Sequence, residues 1–229
     1  SKQNPDLIIN ISASPFSYSK VEAKKEIFIS KATRYRIPVI TANQTGANTE
    51  LIFDGASLII NSAGKIFHQL GYFEESIHTF SLGELMTGTT EYPSPRPEPV
   101  SLIHKAIVTG IRDYFRKSGF NRSVIGLSGG IDSAVCTCLA AEALGNENVR
   151  VLLMPSRYSS ENSVTDSVSL AENTGVKYEI ISIEKPFSAF EELLAPFFDG
   201  MKADVTEENM QARVRAVLLM AFANKFEYI

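Results

Sequence analysis

The stretch 123–133, reading Ser-Val-Ile-Gly-Leu-Ser-Gly-Gly-Ile-Asp-Ser, constrains this chain more than any other. A short apolar run breaks into a loop of small residues, and a long apolar-periodic segment follows at once, so the segment reads strand, loop, helix. Gly129 and Gly130 let the backbone approach a ligand and adopt angles that a Cβ forbids. Ser128 and Ser133 add hydroxyls, and the unpaired amides of a helix start point toward the same loop, which favours an anion there. Asp132 is the odd member, since a carboxylate repels a phosphate unless a hard divalent cation lies between them. Mg²⁺, held by one or two carboxylates together with phosphate oxygens, is the natural mediator, so Asp132 is the candidate metal ligand. The pattern G-x-x-x-x-G-K-[ST] is absent from the chain, so this is not the ordinary lysine-bearing phosphate cradle.

The rest of the second half alternates strands and helices. An amphipathic helix carrying Ile103, Ile107, Ile111, Tyr114 and Phe115 ends near Gly119. Strand 124–127, helix 131–144, strand 149–154, helix 160–173 and strand 177–183 follow, which implies a parallel sheet with right-handed crossovers. Ligands of such sheets bind outside the carboxyl ends of the strands, so the loops 128–133 and 155–160 come together. Arg157, on the second loop, either meets phosphate or is solvated. Asp204 with Glu207 forms a capping box that starts a last helix, on which Met210, Val214, Val217, Leu218, Ala221 and Phe222 form the apolar stripe. Asn209 and Arg213, four apart, share a face of it, and an amide with a guanidinium suits a polyanionic dinucleotide.

The first ninety residues read differently. Strand 6–11 is followed by a loop at 12–16 and by a helix over 19–35, with Ala23, Ile27, Phe28, Ala32 and Tyr35 inward and the lysines on the opposite side. Strand 38–43, a turn-rich loop at 43–49, an apolar run at 51–55 and a hairpin over 57–67 with a glycine turn complete this part. The segment 91–99 alternates proline with polar residues and is the clearest linker. The organisation is therefore a first domain over 1–90, the linker 91–99 and a second domain over 100–229.

Composition bounds the function. The 229 residues are 44% hydrophobic with a net charge of −4, which gives no basic footprint for nucleic acid. No apolar run approaches the roughly 18 residues needed to span a bilayer, and no basic-then-apolar leader is visible. Cys136 and Cys138, the chain's two cysteines, read as small buried residues rather than a disulfide or metal pair, which fits a cytoplasmic protein. The opening on a core strand suggests missing residues upstream, and 226–229 read as the approach to another strand, so the chain is expected to be an internal fragment.

Two resemblances carry function. Residues 128–133 resemble the S-G-G-x-D-S signature of the ATP pyrophosphatases, the PP-loop enzymes, which cut ATP between its α- and β-phosphates to adenylate a carboxylate or carbonyl oxygen. Upstream, N-I-S-A-S-P-F, V-I-T-A-N-Q-T-G and F-D-G-A-S-L-I-I-N-S-A-G-K resemble the distal half of a nitrilase-type amidase domain, and more specifically the glutaminase domain of glutamine-dependent NAD synthetases. E-N-M-Q-A-R-V-R resembles the E-N-x-Q-A-R-x-R element of the same family, and M-P-S-R-Y-S-S its loop flanking ATP.

These resemblances imply an α/β fold: the distal half of a nitrilase-like α-β-β-α sandwich, followed by a Rossmann-like parallel-sheet PP-loop domain related to the adenine nucleotide α-hydrolases. They imply that Gly126, Leu127, Ser128, Gly129, Gly130, Ile131, Asp132, Ser133 and Arg157 bind ATP, that Asn209 and Arg213 bind deamido-NAD, and that Ser14 and Lys20 bind glutamine. ATP and Mg²⁺ are the implied cofactors, and a ligase that amidates deamido-NAD with ammonia from glutamine is the implied activity. The implied partners are these small molecules and further copies in a homo-oligomer, without nucleic acid or membrane. The family's glutaminase Cys, Glu and Lys fall upstream of this sequence, so no catalytic residue is assigned and the 229 residues alone are expected to be inactive. Another PP-loop amidotransferase, of the GMP or asparagine synthetase type, and a nucleotide-binding module without turnover are the alternatives.

Overall fold

A computed structural model describes residues 5–87, 97–198 and 200–229. The chain divides into two compact units between Tyr114 and Phe115, inside one helix. Most of the linker, 91–96, lies outside the described residues, and Pro99 already begins that helix.

The first unit contains β1 (Ile8–Ser12), a 3-10 turn (Tyr18–Lys20), α1 (Val21–Tyr35), β2 (Val39–Asn43), β3 (Thr45–Asn48), β4 (Leu51–Asp54), β5 (Leu58–Ile60), β6 (Ile66–Gln69), α2 (Leu82–Thr87) and most of α3 (Pro99–Ser118). Its four-stranded sheet runs β1-β2-β5-β6, with the first pair parallel and the others antiparallel. The β5–β6 hairpin turns at Gly64, where φ is +81°, and the Asn61 side chain accepts from the amides of Ala63 and Lys65. Ala32 of α1 seals against Val39, Leu58 and Ile60.

Three expectations for this unit need correction. Strand β1 sits at the sheet edge and alternates, with Ile9 61% and Ile11 84% exposed, so it is not a buried strand. The segment 43–49 is no loop, because β3 pairs with β4 as a hairpin. On α1 the inward side holds Lys24 and Lys25 with Phe28 and Ile29, while Ala23, Ile27 and Tyr35 are exposed. Long lysine stems are apolar enough to lie on an inner face when their ammonium groups find oxygen partners.

The second unit contains β7 (Ser123–Gly126), α4 (Ile131–Leu144), β8 (Val149–Leu153), α5 (Glu161–Thr174), β9 (Lys177–Ile180), α6 (Glu184–Leu194) and α7 (Val205–Phe226). The three strands are parallel in the order β7-β8-β9, so the expected parallel α/β sheet is present. Strand β8 is buried on both faces, as a helix-covered parallel sheet demands. Val149, Val151 and Leu153 pack with Ala140 and Ala171 of α4 and α5, and Leu152 packs with Val214 and Leu218 of α7. On the other edge of β7, the Val124 amide donates to the Ile229 carbonyl (2.9 Å) and the Ile229 amide to that of Arg122 (3.0 Å). Ile229 thus runs along the free edge of β7, and ligands of such sheets sit outside the carboxyl ends of the strands.

Cys136 and Cys138 are exposed, contrary to expectation. The buried residue is Thr137 between them, whose hydroxyl donates to the Ser133 carbonyl at 2.8 Å, so the cysteines flank the inward stripe. On α7, Val217 and Ala221 are exposed, and Gln211 takes an inner position beside Val214. Among the described residues no helix is long and apolar enough to cross a membrane.

Candidate functional site

The loop after β7 is tied together by its own serines. The Ser133 hydroxyl donates to the Gly130 carbonyl (3.0 Å) and lies 3.1 Å from the Ser128 hydroxyl. The Ser128 amide donates to the Ser133 hydroxyl (3.2 Å) and the Gly130 amide to the Ser128 hydroxyl (3.3 Å). The first bond of α4 then runs from the Ala134 amide to the Gly130 carbonyl at 3.2 Å, which leaves the amides before it turned toward the loop. Gly129 has φ +82°, and a Cβ there would lie 2.5 Å from the Ser163 carbonyl oxygen of α5, so the position requires glycine.

Beside this loop is a cavity of about 430 Å³ walled by Gly126, Leu127 and Ser128, by Met154 after β8, by serines of the next loop and of α5, and by Arg215 of α7. Its size falls in the ordinary range for small-molecule sites, roughly 300–1,000 Å³. Gly129, Gly130, Ile131, Asp132 and Ser133 do not belong to that wall, and Asp132 is exposed in the first turn of α4. Among the described residues no three His, Cys, Asp or Glu side chains cluster to hold a metal. A lone carboxylate fits Mg²⁺ in the one arrangement where phosphate oxygens and water complete the shell.

Arg157 is engaged elsewhere. Its Nε donates to Glu184 Oε1 at 2.5 Å, its Nη2 to the Ser188 hydroxyl (2.8 Å) and to Glu191 Oε2 (3.1 Å), and its backbone amide to Glu184 Oε2 (3.0 Å). The hydrogen bond to Glu184 raises the guanidinium's proton affinity, and the same contact holds Glu184 below the usual carboxylate range. Arg157 lies outside the cavity wall. The signal that could have warned of this is the pair Glu184 and Glu191, seven apart and therefore on one face of α6.

Asn209 and Arg213 do come together. Both line a second cavity of the same unit, about 390 Å³, with Phe190, Met210 and Val217. Both are exposed, on the side of α7 turned away from Gln211.

Ser14 and Lys20 do not share a cavity. Ser14 lines a cavity of about 300 Å³ in the first unit with Lys24, Asn43, Asp54 and Tyr72, whereas Lys20 is exposed at the start of α1. Asn43 organises this cavity: its Oδ1 accepts from the Ser14 amide (2.9 Å) and the Ser12 hydroxyl (3.2 Å), and its Nδ2 donates to Asp54 Oδ1 (2.8 Å). Lys24 Nζ donates to the Pro15 carbonyl at 2.9 Å and faces Asp54 Oδ2 at 3.8 Å. Burial pushes Asp54 above the ordinary aspartate value, opposed by Lys24 and by the bond from Asn43. Sequence reasoning missed Lys24, Asn43 and Asp54, because a lysine inside a helix carries no apolar signal.

A sequence model of the NAD synthase family matches residues 103–229. The glutamine-dependent NAD(+) synthetase of Synechocystis sp. is 41% identical over 99% of this chain and 41% of its own length. That of Thermotoga maritima is 37% identical over 97% of this chain and 44% of its own. Among solved structures, the glutamine-dependent NAD+ synthetase from Acinetobacter baumannii in complex with adenosine diphosphate superposes with a TM-score of 0.92 at 35% identity, covering 99% of this chain and 43% of that one. The chain thus spans about two fifths of the length of the relatives it matches.

Proposed function

The chain belongs to the NAD synthase family, and from that premise we propose that its second unit binds ATP in order to amidate deamido-NAD to NAD⁺. The observation that carries the reading is the Ser128-to-Ser133 loop: a serine-closed turn at the carboxyl end of β7, opening on a cavity, with Gly129 pressed against α5. Such a loop and the α4 amides suit phosphate oxygens, and the missing Walker lysine fits cleavage at the α-phosphate.

In this reading the Ser128 and Ser133 hydroxyls and the α4 amino end orient the triphosphate. Asp132 would hold Mg²⁺, which would supply positive charge to offset the triphosphate. Asn209 and Arg213 hold deamido-NAD, whose nicotinate carboxylate oxygen attacks the α-phosphorus. The bond from that phosphorus to the bridging oxygen breaks, and pyrophosphate leaves with the electron pair. Ammonia's lone pair then attacks the acyl carbon, the carbon–oxygen bond to AMP breaks, and the nitrogen sheds a proton. Arg157 serves ATP only by exchanging Glu184 and Glu191 for phosphate.

The first unit is assigned to the distal part of a nitrilase-like amidase domain that releases the ammonia from glutamine. The parallel β1–β2 pair, the cover of α1 and the clamped loop bearing Ser14 support that assignment. Lys20 would need to reach the ligand from outside the Ser14 cavity. A cytoplasmic homo-oligomer completes the proposal, and the exposed apolar side chains Leu193 of α6 and Val217 of α7 support the oligomer. The test is pyrophosphate release from ATP by protein containing these residues, offered deamido-NAD, XMP or aspartate. Release only with deamido-NAD supports the reading; release with XMP or aspartate instead points to another amidotransferase.

A further inference from the structure

Among the residues that wall the nucleotide cavity, Arg215 is the one charged side chain; its polar neighbours there, Ser128, Ser159, Ser163 and Ser167, are hydroxyls. No carboxylate lies in that wall. The guanidinium is partly buried, and burial lowers its proton affinity, with no acidic partner opposing the effect. Its Nε donates to the Met154 carbonyl at 3.1 Å and its Nη2 to Gln211 Oε1 at 3.4 Å. Gln211, 8% exposed, also accepts from the Ser156 hydroxyl at 2.8 Å, so one amide oxygen ties the arginine to the loop after β8. A cation taken from water without a counter-charge is costly unless an anion meets it. Asp204, Glu207 and Glu208 border a neighbouring cavity that Arg215 also lines, but none of them forms an ion pair with it, whereas Arg157 already has two carboxylates.

We propose that Arg215, oriented by Gln211, is the cation that meets the phosphates of a nucleotide bound in this cavity. Gln211 is a positioning residue: it does not line this cavity but holds the fork of Arg215 and the Ser156 hydroxyl of the 155–160 loop. The inference rests on the ATP reading and names a phosphate contact that the signature loop does not contain.

Calorimetric titration of the chain with ATP, in excess Mg²⁺, and separately with adenosine tests it. Arg215→Met is expected to weaken ATP binding roughly tenfold or more, the loss of a charge-assisted hydrogen bond, while adenosine affinity stays within about twofold. A merely structural role would weaken both ligands alike. Gln211→Met, which keeps the guanidinium but removes its acceptor, is expected to weaken ATP by about threefold and adenosine not at all; Gln211→Glu, which sets a carboxylate against the guanidinium in competition with phosphate, is expected to weaken ATP at least as much. Unchanged ATP binding in Arg215→Met, or equal loss of ATP and adenosine, overturns the inference. If that variant does not fold, the two Gln211 variants decide by the same ratio. A wild-type chain that binds neither ligand overturns the nucleotide reading itself, and the inference with it.

Discussion

Gly129 and Ser163 approach so closely that a Cβ on the glycine would stand 2.5 Å from the serine's carbonyl oxygen and 2.7 Å from its Cα. Both contacts are backbone, so neither can swing aside, and the positive φ adds strain for any L side chain. Gly129→Ala is therefore expected to destabilise the second unit by about 2 kcal/mol or more. Gly130, with φ −86° and only the Ser128 hydroxyl 3.4 Å away, tolerates alanine within about 1 kcal/mol. Urea unfolding of the two variants checks the contrast, and equal effects would show that the loop is free to move off α5.

Asp54 and Asp204 carry opposite pH dependences. Burial raises Asp54 above its unfolded value, so its contribution is present in acid and lost as pH rises through the folded value. Asp204, which caps α7, is lowered by the bonds from Thr206, so its contribution is present at neutrality and lost as the carboxylate protonates in acid. The stability of Asp54→Asn relative to wild type is expected to improve as pH rises from about 4 to 7, and that of Asp204→Asn to worsen as pH rises from about 2 to 5 and then stay level. Unfolding curves at several pH values measure both, and matching slopes would contradict the assignment.

Because Cys136 and Cys138 stand on either side of the buried Thr137, both thiols are open to solvent. Titration with a water-soluble thiol reagent under native conditions is expected to count two thiols per chain without a denaturant-dependent phase. A thiol that reacts only after denaturation would place the inward stripe of α4 elsewhere.

Asn209 and Arg213 line one cavity and Arg215 another, although all three belong to the same short motif. Arg213→Met is expected to weaken deamido-NAD binding roughly tenfold and to leave ATP within about twofold, the reverse of Arg215→Met. Direct titration with each ligand reads both numbers. Parallel losses in the two variants would mean that the two faces of α7 serve one ligand.

The parallel sheet, α4, α5 and the capping box of α7 were legible because local pattern and tertiary role agree there: apolar runs become β7 and β8, and the Asp204–Glu207 box starts its helix. What escaped did so for separate reasons. Periodicity assigns the inside to apolar residues, so the lysines of α1 were expected on the outer side and Gln211 and Arg215 drew no assignment, although Lys24, Gln211 and Arg215 are all drawn into hydrogen bonds on inner faces. Arg157 looked available for phosphate because its partners, Glu184 and Glu191, sit on α6, whose start signals, Ser182 and the first-turn Pro186, had drawn no helix in the sequence reading. Strand β3 was hidden by Gly46, whose φ of +102° reads as a turn but which pairs with Phe53 in the hairpin.

The measurement that tests the account most directly is the amide NMR spectrum of the chain titrated with ATP and Mg²⁺. Binding is expected to move the resonances of Gly126, Leu127, Ser128, Met154 and Ser163, which border the cavity, and of the 129–133 loop that continues from it, while the first unit stays unchanged. A spectrum that does not respond, or one that responds chiefly around Ser14 and Asp54, would contradict a nucleotide site at the end of β7.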